Sequence, residues 1–240
     1  MSRMNEETRD AALLESFAML ADNLVSGYDV IDLLQTLVER CQEVLDASQA
    51  GILLEDEAGR LDVVAATDER VRLIEMLQLD GDGGPCAECF RTGRPVLIPA
   101  VDEIEPRWSR FGAMASKEGI LSVYCVPLRL RRLTIGSLNL FSDREGMPPH
   151  LDQVAAQAMA DVATISILQR REAHDSQVIR EQLQHALDSR VLIEQAKGVV
   201  SYKRRIPVDQ AFQLIRSYAR SNRLRLDDVA RRIVGRELDL

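Results

Sequence analysis

The sequence predicts an α+β protein in which helices flank an antiparallel sheet, followed by a long coiled-coil helix and a small unit of three helices. Three observations support this fold class. Two pairs of neighbouring apolar runs have the pattern of β-hairpins, apolar residues recur every seven positions over residues 151–200, and basic residues cluster near the C-terminus. A length of 240 residues suits one domain of ordinary size joined to a small one.

Helix and strand signals alternate through the first two thirds of the chain. One predicted hairpin turns at Gly59, and a tight basic turn at Arg131 and Arg132 joins the strands of the other. Pro85 occupies the favoured first position of a helix. This order implies a central antiparallel sheet with helices packed on it. The predicted helices are 11–25, 29–45 with Asp29 as its cap, 69–79, 86–92 and 107–118, and the predicted strands are 50–56, 60–67, 95–99 (a short buried strand), 121–130 and 133–141.

From Leu151 onward the apolar pattern becomes a seven-residue repeat, which favours a helix packed along a partner helix. The repeat comprises Leu151, Ala158, Ile165, Glu172, Ile179, Ala186, Ile193 and Val200. No Gly or Pro lies between Pro149 and Gly198, so one interpretation is a continuous helix from His150 to about Tyr202. The alternative is two helices broken within 171–177. In either case a homodimer with parallel helices would bury the apolar stripe.

Charge is distributed unevenly along the chain, although the net charge is −8. Residues 174–240 hold 13 Lys and Arg against 9 Asp and Glu, whereas the preceding 173 residues hold 17 against 29. An acidic body with a basic end indicates a polyanionic partner at the C-terminal end. Solvated basic helix faces give the same pattern, so charge alone does not identify the partner.

Several classes of function are not expected. No run of 18 apolar residues exists and the N-terminus lacks the apolar region of a signal peptide, which predicts a cytoplasmic protein without membrane contact. Cys86 and Cys89 form a CxxC pair without the two further ligands that zinc needs, so no metal is expected. The three histidines lie outside the predicted sheet, and no haem or bilin cofactor is expected. The sequence contains no P-loop, GxSxG or HExxH motif, so an enzyme is not expected.

The C-terminal residues 186–234 resemble the ANTAR domain. The matching motifs are SR at 189–190, IEQAKG at 193–198, AFxLIR at 211–216, AR at 219–220 and LxDVA at 226–230. The resemblance implies a three-helix domain that binds RNA carrying two neighbouring hairpin loops. Binding would hold an antiterminator structure in place and prevent the terminator stem from forming.

Residues 10–170 resemble a GAF domain, a small-molecule sensor module. The resemblance is carried by GPCAECFRTGRPVLIP at 84–99 and by SLNLFS at 137–142. Together the two resemblances imply a signal-responsive transcription antitermination regulator with a small molecule of unknown identity as its signal. The domains implied are a GAF-like sensor over 1–170, a coiled-coil linker over 171–182 and an RNA-binding ANTAR domain over 183–240.

Basic and aromatic side chains of the C-terminal helices are the candidate RNA contacts, because RNA loops expose phosphates and unstacked bases. The candidates are Arg190, Lys197, Lys203, Arg204, Arg205, Arg216 and Arg220 as phosphate and base contacts, with Tyr202 and Tyr218 as stacking platforms. Arg216 and Arg220 are four residues apart and should share a helix face.

Ordinary structural roles are the alternatives at several of these positions. Glu194 could pair with Lys197 or Arg190 and orient it. Phe212 is expected in the core, and Tyr218 could be packed instead of stacking on a base. Gly198 could allow close helix packing or the close approach of RNA.

Three residues of the predicted sensor are candidates for ligand binding or sensing. Cys86 follows Pro85 at a predicted helix N-terminus, a position that stabilises a thiolate. The alternative is a small buried apolar residue, and a disulfide with Cys89 would require suitable geometry. Trp108 and Phe111 could line a pocket or simply cover the sheet.

Two other functions remain open at this point. Three short basic helices also suit a DNA-binding transcription factor with a GAF sensor, which would prefer duplex DNA with symmetric half-sites. A protein-interaction module with a basic docking face would show no affinity for nucleic acid.

Overall fold

The computed structural model describes residues 6–22, 30–45, 47–56, 58–79, 83–104, 108–168 and 176–240. The predicted cap at Asp29 and the segment 169–175, which would decide whether one helix is continuous, lie outside the described residues. Within the described part of the chain, none of the helices is both long and apolar enough to span a bilayer. The helices are α1 (Glu6–Asp22), α2 (Val30–Val44), α3 (Glu69–Leu77), α4 (Pro85–Thr92), α5 (Ser109–Lys117), α6 (His150–Leu168), α7 (Ser176–Arg204), α8 (Val208–Ser221) and α9 (Leu226–Val234), and the strands are β1 (Gln49–Glu55), β2 (Leu61–Ala66), β3 (Val96–Ile98), β4 (Ser122–Leu130) and β5 (Leu133–Ser142).

The five strands form one antiparallel sheet in the order β2–β1–β5–β4–β3. The predicted α+β class is therefore confirmed. The prediction of a buried strand at 95–99 is wrong, since β3 is half-buried at the edge of the sheet. At the centre, a Cβ at Gly136 of β5 would lie 2.0 Å from the Leu53 carbonyl oxygen of β1. Only glycine therefore permits this close approach of the two strands.

Local signals determine where α3 and α4 begin and end. Asp68 caps α3 by accepting a hydrogen bond of 2.9 Å from the Val71 amide. Pro85 is the first residue of α4, as predicted. Gly93 ends α4 in the left-handed region with φ 61°. Helix α4 places the candidate sensing residue Cys86 in the apolar layer against the sheet.

Two apolar layers cover the faces of the sheet. On one face α2 and α6 pack against Ile52, Val126 and Leu138. On the other face α3, α4 and α5 pack against a separate cluster that includes Leu53 and Phe141. Helices α2 and α3 therefore lie on opposite faces of the sheet at the β1–β2 edge. Both helices contact the C-terminal unit.

The C-terminal unit is a three-helix arrangement in which α8 and α9 pack on the second half of α7. Its buried apolar residues are Ile193, Ala196, Val200, Ala211, Phe212, Ile215, Ala219, Leu226, Val229, Ala230 and Ile233. The expectation that Phe212 belongs to the core is confirmed. These residues are continuous with the apolar cluster of α2 and α6, so the two parts of the chain share one core.

Two members of the seven-residue stripe are buried within the chain itself. Ile193 is 0% exposed and Val200 is 1% exposed, and both pack inside the C-terminal unit. On α6, by contrast, Leu151 is 55% exposed and Ile165 is half-buried. The assignment of Ile193 and Val200 to a dimer stripe is therefore wrong, because α8 and α9 of the same chain supply their apolar neighbours.

A different face of α7 is exposed. It consists of Val191, Gln195, Gly198 and Tyr202, whose spacing places them on one side of the helix, and we call it the open face of α7. Val191 is 56% exposed and Tyr202 is 86% exposed. A Cβ at Gly198 would meet nothing within 4 Å, so this glycine does not serve close helix packing within the chain.

Candidate nucleic-acid interface

The structure divides the candidate RNA contacts into an exposed group and a buried group. The exposed group consists of Tyr202, Lys203, Arg204, Arg205 and Arg220. The buried group consists of Arg190, Lys197 and Arg216. Tyr218 is half-buried against the core, which agrees with the packed alternative.

Three members of the exposed group lie beside an open groove at the end of α7. Ser201, Tyr202, Lys203, Arg205 and Ile206 line this groove. Arg205 has a left-handed backbone with φ 54°, which ends α7 and forms the corner before α8. The groove therefore combines an exposed aromatic ring with two cations, the combination that holds an unstacked base and its phosphate.

Arg216 of α8 is held by side chains of α2. Its Nε donates to Asp32 Oδ1 at 2.7 Å, its Nη1 reaches both carboxylate oxygens of Glu39 at 2.6 Å, and its Nη2 donates to Thr36 Oγ1 at 2.7 Å. Burial opposes the charged form, but the hydrogen bond to Glu39 and the charge of Asp32 outweigh it and raise the pKa of Arg216. Each of the three guanidinium nitrogens therefore has a hydrogen-bond partner within the chain.

Arg220 lies one turn further along α8 and faces the same partners at longer range. Its Nη2 is 3.4 Å from both carboxylate oxygens of Asp32 and 3.3 Å from Thr36 Oγ1. The predicted shared face of Arg216 and Arg220 is therefore confirmed. The side chain of Arg220 is half-exposed, so it remains accessible to solvent in this arrangement.

A second group of ion pairs joins α7 to α3. Lys197 Nζ lies 2.6 Å from Glu69 Oε1 and 3.1 Å from Glu194 Oε1. Glu194 also pairs with Arg190 at 2.6 Å and with Arg72 of α3 at 2.5 Å. The expectation that Glu194 orients Lys197 or Arg190 is confirmed, and it contacts both. Burial alone would raise the pKa of Glu194, but these three cations lower it instead.

Apart from Glu194, the carboxylates that hold the basic side chains were not predicted from the sequence. Arg216 is 184 residues from Asp32 and 177 residues from Glu39 in the sequence, and Lys197 is 128 residues from Glu69. No local pattern connects such residues. The excess of acidic residues in the N-terminal part of the chain is the sequence feature that is consistent with these ion pairs. It does not identify which carboxylates contact the C-terminal unit.

The candidate sensing residues Cys86, Trp108 and Phe111 lie together, buried in the layer of α4 and α5. Cys86 accepts a hydrogen bond from Gln78 Nε2 at 3.0 Å, and its amide donates to Gln78 Oε1 at 3.0 Å. Its Sγ is 3.6 Å from that of Cys125, a neighbour that the sequence did not indicate.

The thiols of this layer are buried in apolar surroundings. Burial raises the pKa of Cys89 and that of Cys125 well above the ordinary value. All four cysteines of the chain are free and buried, so the structure contains them as thiols. This environment agrees with the alternative in which cysteine acts as a small core residue.

Glu75 of α3 is a buried carboxyl above the same face of the sheet. Its Oε1 accepts a hydrogen bond of 2.7 Å from Asn139 Nδ2. Burial raises the pKa of Glu75 to about 8, against the opposing effects of the Asn139 hydrogen bond and of the charge on Arg190. Among the described residues, Glu75 Oε2, Ser137 Oγ, Asn139 Oδ1 and Arg190 Nε are buried without a hydrogen-bond partner. The sensor core and the C-terminal unit thus meet at an incompletely paired polar site.

The fold and the basic helices define a regulatory protein made of a sensor-type domain and a helical output domain. Residues 28–167 match the model of the GAF domain and residues 181–234 match that of the ANTAR domain. The chain belongs to the GAF family and carries an ANTAR domain toward its C-terminal end. A GAF sensor joined to an ANTAR domain is the architecture of an RNA-binding antitermination regulator.

Solved structures support the fold of the sensor domain. The chain is similar to the GAF domain of an Acinetobacter phosphoenolpyruvate-protein phosphotransferase, with 15% identity, a TM-score of 0.52 and coverage of 72% of this chain and 99% of that one. It is also similar to the free methionine-R-sulfoxide reductase of Neisseria meningitidis, with 16% identity, a TM-score of 0.50 and coverage of 78% and 96%. At these identities the likeness shows the fold alone. A comparison with curated proteins found no match.

Proposed function

We propose that this protein is a signal-responsive transcription antiterminator that binds RNA with two neighbouring hairpin loops as a homodimer. The observation that carries the proposal is the groove at the end of α7, where the exposed ring of Tyr202 lies beside Lys203 and Arg205 within the ANTAR domain. Base stacking on the ring and charge pairing with the phosphates would hold an unpaired loop.

Two surfaces support dimerisation. Val191, at the opposite end of the open face of α7 from Tyr202, and Leu151 and Val154 of α6 present apolar groups to solvent. Pairing of two chains through these faces, with residues 171–182 as a coiled-coil linker, would place two RNA-binding heads on one particle. Two linked heads bind two loops far more tightly than either binds one, because the second contact becomes intramolecular.

The signal in this proposal is a small molecule bound by the GAF domain. Cys86, Trp108 and Phe111 lie in the layer between the sheet and α3 to α5, so a ligand inserted there would contact them. The helix α3 borders this layer and also carries Glu69 and Arg72, which contact the ANTAR domain. A ligand that displaces α3 would therefore change the contacts of the output domain.

Fluorescence anisotropy tests the proposed function. Wild-type protein is titrated at two salt concentrations into a two-hairpin RNA, its single-hairpin half and a duplex DNA of equal charge. Binding that needs both hairpins and weakens with salt supports the proposal. Preference for the duplex would indicate a DNA-binding factor, and equal binding to all three probes would reveal only a basic surface.

Replacing Tyr202 with alanine should weaken binding to the two-hairpin RNA by about tenfold or more, since stacking of a base on an aromatic ring contributes about 1–3 kcal/mol. Tyr202→Phe keeps the stacking face and should bind nearly as well as the wild type. Circular dichroism should show unchanged folding for both variants because the side chain is exposed. If Tyr202→Ala binds the RNA with wild-type affinity in the same anisotropy titration, Tyr202 does not contact the RNA.

Replacing Gly198 with alanine should stabilise the chain by about 0.5–1 kcal/mol, because glycine is unfavourable inside a helix and the new Cβ meets nothing within 4 Å. Urea unfolding measures this gain. If RNA or a second chain approaches α7 closely at this glycine, the same variant should bind RNA or self-associate more weakly. Higher stability with unchanged binding would show that nothing approaches Gly198 closely.

A further inference from the structure

Two cations proposed to contact RNA are occupied by the GAF domain of the same chain. Arg216 is 4% exposed and pairs with Asp32 and Glu39 of α2, and Lys197 is 3% exposed and pairs with Glu69 of α3. An RNA phosphate cannot reach either side chain while these contacts persist. The arrangement therefore presents only part of the proposed RNA-binding surface.

Side chains of α2 occupy the donors with which Arg216 would hold a phosphate. Both carboxylate oxygens of Glu39 lie 2.6 Å from Nη1, while Asp32 accepts from Nε and Thr36 accepts from Nη2. A guanidinium presents the same donors to a phosphate as to a carboxylate, so the two anions exclude each other at one site. The GAF domain thus offers an intramolecular substitute for RNA.

The second group of ion pairs also holds the ANTAR domain against the GAF domain, and here each domain contributes both acidic and basic side chains. Arg72 of the GAF domain pairs with Glu194, which in turn holds Arg190 and Lys197 of the ANTAR domain. Moving α7 away from α3 would break the pairs of Arg72 with Glu194 and of Lys197 with Glu69 together. Arg72 and Glu69 lie on the helix that carries Glu75 into the sensor core, so the closed contact is mechanically connected to that core.

We infer that the acidic surface formed by Asp32, Glu39 and Glu69 competes with RNA for Arg216 and Lys197, and that it keeps the ANTAR domain closed until the sensor or the RNA displaces it. This inference rests on the proposed function. The consequence for affinity is general: when a protein binds only in its open form, its apparent dissociation constant equals the intrinsic constant divided by the fraction that is open.

Neutralising the competing carboxylates in the full-length chain tests the inference. The variant Asp32→Asn with Glu39→Gln removes both negative charges at Arg216 without altering the ANTAR domain, and it should bind the two-hairpin RNA about tenfold more tightly than the wild type. Glu43→Gln is the matched control, since Glu43 lies exposed on the same helix and pairs with Arg40. This control should bind like the wild type.

The milder variant Glu69→Gln, which removes the partner of Lys197, covers the case in which the double variant does not fold. Small-angle X-ray scattering provides a readout without RNA, and the radius of gyration should increase in both variants. Wild-type RNA affinity and an unchanged radius in folded variants would overturn the inference while leaving the proposed function intact. If neither the wild type nor any variant binds the RNA, the proposed function fails and the inference fails with it.

Discussion

Raising the pH from 6 to 9 should lower the free energy of unfolding of the wild-type protein by about 3 kcal/mol through Glu75 alone. The pKa of Glu75 is about 8 in the folded chain, whereas its ordinary value is 4.5. Between these values the folded state keeps a proton that the unfolded state has released. The stability is therefore fully present below the ordinary pKa and is lost as the pH rises through the folded pKa.

The variant Glu75→Gln isolates this effect. Glutamine has the same shape and can accept the hydrogen bond that Asn139 donates to Oε1, but it does not titrate. Urea unfolding followed by circular dichroism at pH 6, 7, 8 and 9 should show a much smaller pH dependence for the variant than for the wild type. Parallel profiles of the two proteins would show that Glu75 is not neutral in the folded chain.

The second large effect concerns Ile193 of α7, which is fully buried where α8 and α9 pack on this helix. Ile193→Asp places an unpaired carboxylate in an apolar core and should destabilise the ANTAR domain by about 3 kcal/mol or more. RNA binding would disappear because the domain unfolds, whatever the oligomeric state. This variant therefore cannot serve as a test of dimerisation, contrary to what the seven-residue repeat suggests.

Val191→Asp is the matched control, because it introduces the same charge two residues away on the open face of α7. It should leave thermal unfolding unchanged. Sedimentation velocity should then show weaker self-association if the open face joins two chains. An Ile193→Asp chain that stays as stable as the wild type and becomes monomeric would contradict the intrachain placement of Ile193.

The parts of the fold that the sequence predicted are those governed by local chemistry. Pro85 and Gly93 delimit α4 through their backbone preferences, and two apolar runs joined by a tight basic turn indicate the strands of the β4–β5 hairpin. The clustered motifs of the ANTAR domain identified its helices for the same reason. Such signals depend on neighbours within a few residues and require no knowledge of the rest of the chain.

The parts that the sequence did not predict depend on contacts between distant residues. A seven-residue repeat shows that Ile193 and Val200 need an apolar neighbour, but it does not tell whether that neighbour belongs to α8, to α9 or to another chain. Likewise, a basic helix face indicates an anion, and Arg216 finds it in Glu39 of the same chain. The sequence therefore indicated which types of residue form the candidate site, but not that carboxylates of the same chain already pair with some of them.

The withdrawal of Arg216 and Lys197 from solvent also affects how the protein behaves amid cellular nucleic acid. Sequence-independent attraction to RNA comes from cations that neutralise phosphates, and it grows with the number of cations available. With these two side chains buried against carboxylates, the closed form that we infer would bind unrelated transcripts more weakly than an open form. Its discrimination between cognate and unrelated RNA would then depend on which RNA can supply enough contacts to open the chain.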